Sequence, residues 1–188
     1  MDRKISSQGF TLIELVVTLT VATILLAVGI PSYKSTATRN HIESLMSDLT
    51  RSLNLARSEA LKRGMTVTVC KSADQLVCGG NWSNGWILFN DKNKNGSIDV
   101  GDELLHTHGA IAQGLSLKYA AFPSSNYVQF LGSGFTKQQN GTFTACGSAK
   151  KVENARAVIV HKTGRARPSI DSDRDGIYEK GSGNPLTC

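Results

Sequence analysis

The feature that most constrains this chain is a run of 21 residues, Phe10 to Ile30, that carries a single charge, Glu14. At about 1.5 Å of rise per residue, a helix of that length covers the roughly 30 Å hydrocarbon core of a bilayer. A carboxylate in hydrocarbon is costly unless it is paired, so Glu14 is expected to need a cation. Thr11-x-x-Glu14 also reads as a capping box opening a plain membrane anchor. Ahead of the run, Met1 to Gly9 is short and polar, with Asp2, Arg3 and Lys4 and no apolar centre. The apolar run comes only after Gly9, so the pattern is not that of an ordinary cleaved secretory signal.

About 155 residues lie beyond the run, enough for one domain with its own core. The formal net charge is +6, which permits contact with nucleic acid or anionic lipid without establishing either. Four cysteines, Cys70, Cys78, Cys146 and Cys188, follow the apolar run. An even count there points to an oxidising compartment. Of the three pairings open to them, Cys70–Cys78 closing a short loop and Cys146–Cys188 tying down the C-terminal tail are favoured. Paired CxxC motifs, which would indicate zinc, are absent.

After Pro31 a helical period resumes. Ile42, Leu45, Met46, Leu49, Leu53, Ala56 and Ala60 fall on one helix face, with Arg39, Glu43, Asp48, Arg51, Arg57, Glu59 and Lys62 elsewhere. Gly64 stands where a helix ends. The pattern predicts a helix from about Phe10 to Arg63, apolar all round in its first half and one-sided in its second. Strand signals follow at 66–70, 86–90, 103–107, 115–119, 127–131, 142–146 and 156–161, separated by glycine- and asparagine-rich turns. One helix followed by sequential short strands predicts an α+β fold with an antiparallel head.

Gly9 followed by Phe10-Thr11-Leu12-Ile13-Glu14-Leu15 resembles the prepilin signature of type IV pilins and type II secretion pseudopilins. The resemblance implies a leader, residues 1–9, cut by a prepilin peptidase between Gly9 and Phe10, with methylation of the new N-terminus. It places Glu14 beside the N-terminal amine of a neighbouring pilin subunit. It puts Pro31 where many pilins have a helix kink. Residues 10–64 are then a transmembrane and amphipathic helix, and 65–188 a periplasmic β-rich head on a single-pass inner-membrane protein. The order Cys70, Cys78, Trp82, Gly85-Trp86-Ile87-Leu88-Phe89, Asp91-x-Asn93-x-Asn95-Gly96 resembles the FimT/GspH group of minor pseudopilins. That likeness implies a head of two antiparallel sheets against the helix.

Between Lys150 and Arg167 the chain holds Lys150, Lys151, Arg156, Lys162, Arg165 and Arg167 against one acid, Glu153. In an extended segment Arg165 and Arg167 point to one face, roughly 7 Å apart, close to the spacing of phosphates along a nucleic-acid strand. Guanidinium grips phosphate through a planar donor fork, and Gly164 permits the turn that would project the pair. Gly164-Arg165-x-Arg167 is similar to the Gly-Arg-x-Arg motif of FimT pilins that bind DNA during natural transformation. By that resemblance Arg165 and Arg167 contact phosphate, while Lys150, Lys151, Arg156 and Lys162 are candidates by charge alone. Binding is then expected to be to backbone, sequence-independent and salt-sensitive. The alternative is a purely structural minor pilin that primes pilus or pseudopilus assembly.

Two loops carry calcium-like spacing. Asp91 to Asp102 follows most of an EF-hand loop but reads more simply as a turn. Asp171-x-Asp173-x-Asp175-Gly176, with Glu179 nearby, offers carboxylates at alternate positions, so Asp171, Asp173 and Asp175 are calcium candidates, with a solvated acidic loop as the other reading. His106-x-His108 lacks an evident third metal ligand. No Gly-x-Ser-x-Gly elbow, HExxH helix or phosphate loop is present, so neither an enzyme nor a cofactor is expected.

Overall fold

The structure, a computed structural model, describes residues 11–188. The expected leader and the Gly9/Phe10 cleavage site lie outside them. The chain divides into two units, Met1–Ala37 and Thr38–Cys188, and one long helix, α1 (Leu12–Arg63), runs through both.

In the first unit Thr11 caps α1, its hydroxyl accepting from the Glu14 N–H at 3.3 Å, which is one half of a capping box. The side chains that follow are apolar and exposed, among them Leu12, Ile13, Leu19, Ile24 and Leu25. The hydroxyls of Thr18, Thr20 and Thr23 each donate to a carbonyl one turn back at 2.8 to 3.0 Å, so these polar groups are satisfied within the helix. Among the described residues no helix is long and apolar enough to cross a membrane. The span expected from the sequence begins at Phe10, outside them. The helix is not ended by Pro31.

In the second unit α1 buries Ile42, Leu45, Met46, Leu49, Leu53, Ala56 and Ala60, the face expected from the 3.6-residue period. It ends at Gly64, whose φ of +65° is the left-handed conformation of a helix-terminating glycine. Eight strands follow: β1 (Val67–Lys71), β2 (Trp86–Asn90), β3 (Glu103–His108), β4 (Leu115–Ala121), β5 (Tyr127–Phe130), β6 (Gly141–Gly147), β7 (Arg156–Val160) and β8 (Ala166–Pro168). They form two four-stranded sheets, β3-β2-β1-β5 and β4-β6-β7-β8, antiparallel throughout.

One core holds the unit together. The α1 stripe meets Val67, Val69, Trp86, Leu88, Val128 and Phe130 of the first sheet and Leu117, Tyr119, Phe143, Ala145, Val158 and Val160 of the second. Each large apolar side chain buried there contributes on the order of 2 kcal/mol. Trp82 stands edge-on to both Tyr119 and Phe143, with centroids 5.8 and 4.8 Å away. The first sheet has a second small core on its other face, where Cys70, Ile87 and Phe89 meet Cys78, Ile98 and Tyr127. Covered on both faces, β2 reads as continuous apolar sequence.

Asp91 anchors the loop above that second core. It is fully buried and accepts from Thr68 Oγ1 (2.6 Å), Gln129 Nε2 (2.8 Å) and the N–H groups of Asn95 and Gly96. Asn93 and Asn95 both direct their amide nitrogens at Asp99. These oxygens accept from protein donors. Cys70 is bonded to Cys78 and Cys146 to Cys188, the pairings favoured from the sequence.

Candidate nucleic-acid interface

Strand β7 leaves the core at Val160 and turns back as β8. The turn is closed by His161 N–H to Arg165 O (3.0 Å) and Gly164 N–H to His161 O (2.9 Å). Gly164 has φ +75°, and it has no room for a side chain. A Cβ there would lie 1.9 Å from the Gly134 carbonyl oxygen and 3.1 Å from Arg57 Nε. Arg57 Nε donates to that carbonyl at 3.0 Å, and Thr136 N–H donates to Lys162 O at 3.0 Å. Helix, 131–136 loop and hairpin are thereby locked to one another.

Lys162 and Arg165 are exposed and Arg167 half-buried. Arg167 pairs with Ile159 across the hairpin, and its Nε donates to His161 Nε2 at 3.0 Å. Among the described residues none of these three cations has a carboxylate partner. Their charge is therefore free to meet an external anion.

The rest of the basic stretch does not gather here. Arg156 is buried. Its Nη1 donates to Glu153 O (3.0 Å) and Ala155 O (2.8 Å), its guanidinium lies 3.8 Å from the Tyr178 ring centroid, and Nη2 is 3.7 Å from Glu43. Burial pushes the guanidinium below the ordinary arginine value, with Tyr178 opposing. Arg156 is thus a packing residue, and its expected place among the DNA contacts is corrected. Strand alternation explains this: Arg156 shares a face with Val158 and Val160, which point into the core. Lys150 and Lys151 are exposed but lie in the β6–β7 connection, at the opposite end of β7 from the Gly164 turn.

The acidic segment lies beyond β8. Ligand oxygens of Asp171, Asp173, Asp175 and Glu179 come within 4.8 Å of one another. Each already accepts a backbone N–H, from Arg174 and Gly176, Asp175, Ile177 and Ser172 respectively. His108 is committed elsewhere, stacked on Trp86 at 3.8 Å.

On the second sheet the inward residues are Leu117, Tyr119, Phe143, Ala145, Val158 and Val160. The alternate positions Lys118, Ala120, Thr142, Thr144 and Ile159 face the other way and floor a groove of about 660 Å³. The segment 178–188 forms its wall, held by Lys180 N–H to Asn184 O (2.7 Å), Leu186 N–H to Tyr178 O (2.8 Å) and the Cys146–Cys188 bond. Lys118, Lys162 and Lys180 line it. Sequence reasoning missed Lys118 and Lys180. Each is a lone lysine, and only strand register and the tail's return bring them to one face.

Solved structures of other proteins share this fold. The chain is similar in fold to the type IV minor pilin FimU of Pseudomonas aeruginosa (strain PAO1), at TM-score 0.58 and 22% identity over 80% of this chain and 96% of that one. It is also similar to the minor pseudopilin EpsH from the type 2 secretion system of Vibrio cholerae, at TM-score 0.51 and 14% identity over 68% and 95%. No curated protein sequence matches it. The prokaryotic N-terminal methylation motif matches residues 5–30, and the profile of type II transport protein GspH matches residues 45–164. With that profile spanning α1 from its buried face through to the Gly164 turn, the chain belongs to the GspH family.

Proposed function

We propose that this protein is a minor pilin or pseudopilin that binds nucleic acid through its β7–β8 hairpin during DNA uptake. The observation that supports the binding role most is the pair Arg165 and Arg167, unpaired with any described carboxylate and held at a sheet edge by a glycine that tolerates no side chain. Two guanidiniums so held can grip successive phosphates of one strand. With no recognition helix in the head, contacts go to backbone, affinity falls in the micromolar range and declines steeply with salt.

On this reading the leader is removed at Gly9/Phe10 by the peptidase, the run from Phe10 to Ile30 sits in the inner membrane, and the head faces the periplasm. Glu14 then pairs with a neighbouring subunit's N-terminal amine, which offsets the cost of a carboxylate in lipid. The exposed apolar side chains at the start of α1 support that burial in lipid or against other subunits.

The test uses the full chain in neutral detergent, with gel shifts at two salt concentrations. Arg165→Gln/Arg167→Gln is expected to weaken binding at least tenfold; unchanged binding sinks the DNA role. The likeness in fold to FimU, a minor pilin, and EpsH, a minor pseudopilin, favours a second reading, a purely structural subunit. A deletion strain that loses motility but transforms normally would favour it.

A further inference from the structure

We propose that the bound strand continues from the hairpin into the groove on the outward face of the second sheet, where Lys118 and Lys180 hold its phosphodiester backbone. The inference rests on the nucleic-acid reading above and extends it to residues outside the Gly-Arg-x-Arg segment.

The groove is cationic, and its floor includes the small Ala120 and the hydroxyls of Thr142 and Thr144. Lys118, Lys162 and Lys180 line it with His161, Thr142 and Thr144, and no aspartate or glutamate side chain contributes. Among the described residues none of the three lysines is in an ion pair. Lys180 Nζ meets only a hydroxyl, that of Thr187 at 3.3 Å. Its neighbour Glu179 turns away, accepting from Ser172 N–H at 2.9 Å, so the tail presents its cation to the groove and its acids elsewhere.

The groove also joins the hairpin. Ala120, Thr142, Ile159 and Arg167 form one cross-strand rung over all four strands, and Lys118 lies two residues from Ala120. Three strand spacings and two residues along put Lys118 and Arg167 roughly 16 Å apart, a length that two or three phosphate steps of a strand can follow. The wall cannot drift. Gly181 abuts Ile159, since a Cβ there would lie 3.0 Å from Ile159 Cγ2, and Leu186 is buried against Cys146, Ala155 and Ala157.

The experiment measures binding of the full chain in neutral detergent to a DNA duplex, and to a single strand of the same length, across a salt series. Lys118→Gln/Lys180→Gln removes two phosphate contacts. The log–log salt slope should become shallower by about 1.8 for duplex or about 1.4 for single strand, with affinity down on the order of tenfold or more near 0.1 M salt. Lys118→Arg/Lys180→Arg should retain binding. A change seen with only one of the two DNA forms assigns the groove to that form. If the glutamine variant keeps the parent's slope and affinity while Arg165→Gln/Arg167→Gln weakens, the groove is refuted and the hairpin stands. If the arginine pair has no effect but the lysine pair does, the groove stands and the hairpin reading fails.

Discussion

Replacing Gly164 by alanine tests how the hairpin is held. Two costs add. At φ +75° a residue with a Cβ loses about 1 to 2 kcal/mol. The new carbon would also stand 1.9 Å from Gly134 O, so loop and hairpin must separate by on the order of 1 Å. That separation lengthens the Arg57–Gly134 and Thr136–Lys162 bonds, both 3.0 Å, at about 1 kcal/mol each. The sum is about 3 to 4 kcal/mol, or a fall of about 10 °C in Tm for a domain of this size. Gly64→Ala is the control: its φ is +65°, but nothing lies within 4 Å of the added carbon, so only the backbone cost remains. Thermal melts of the full chain in detergent, followed through the buried Trp82 and Trp86, give both values. If Gly164→Ala melts no lower than Gly64→Ala, the close approach to Gly134 is not a structural constraint and the reasoning fails.

Arg156→Ala should lower stability by about 2 kcal/mol, through loss of the Tyr178 contact and of donors to two carbonyls, while leaving DNA affinity unchanged; weakened binding with unchanged Tm would return Arg156 to the interface. Asp74 contributes to acid sensitivity. The N–H groups of Val77 and then Leu76 hold its carboxylate below the ordinary 3.8. A depressed carboxylate stabilises the fold above its unfolded value, and the contribution is lost as pH falls through the folded one. Asp74→Asn should therefore lose less stability than the parent on acidification from pH 5 downward, and parallel pH profiles for the two would remove this role.

Much of the fold was legible because burial is one-sided where the sequence is periodic. The α1 stripe from Ile42 to Ala60 follows one solvent boundary; the alternation in β1 instead divides two buried faces, Val67 and Val69 in the main core and Cys70 in the small one. β8 was not legible: Arg-Ala-Arg-Pro has no apolar face, and the segment pairs only because the glycine turn returns it to β7. The site was legible in part. Charge counting gave Arg156 and Arg165 equal weight, yet strand parity with Val158 and Val160 already turned the former inward. Lys118 and Lys180 carried no local signal, since register across β4, β6 and β7 and the tail's disulfide bring them together.

The short edge strand has a consequence for how the protein behaves when crowded. Arg165 O and Ser169 N–H are directed at β7, so by alternation the backbone groups of Ala166 and Pro168 look outward. Proline has no N–H, which leaves Ala166 as the lone outward donor of β8. A flank so poor in donors, with arginines on either side of Ala166, is a bad template for a strand from another molecule. Crowded copies of this protein should thus resist fusing sheet to sheet along that flank, leaving it open to solvent and to whatever anion approaches.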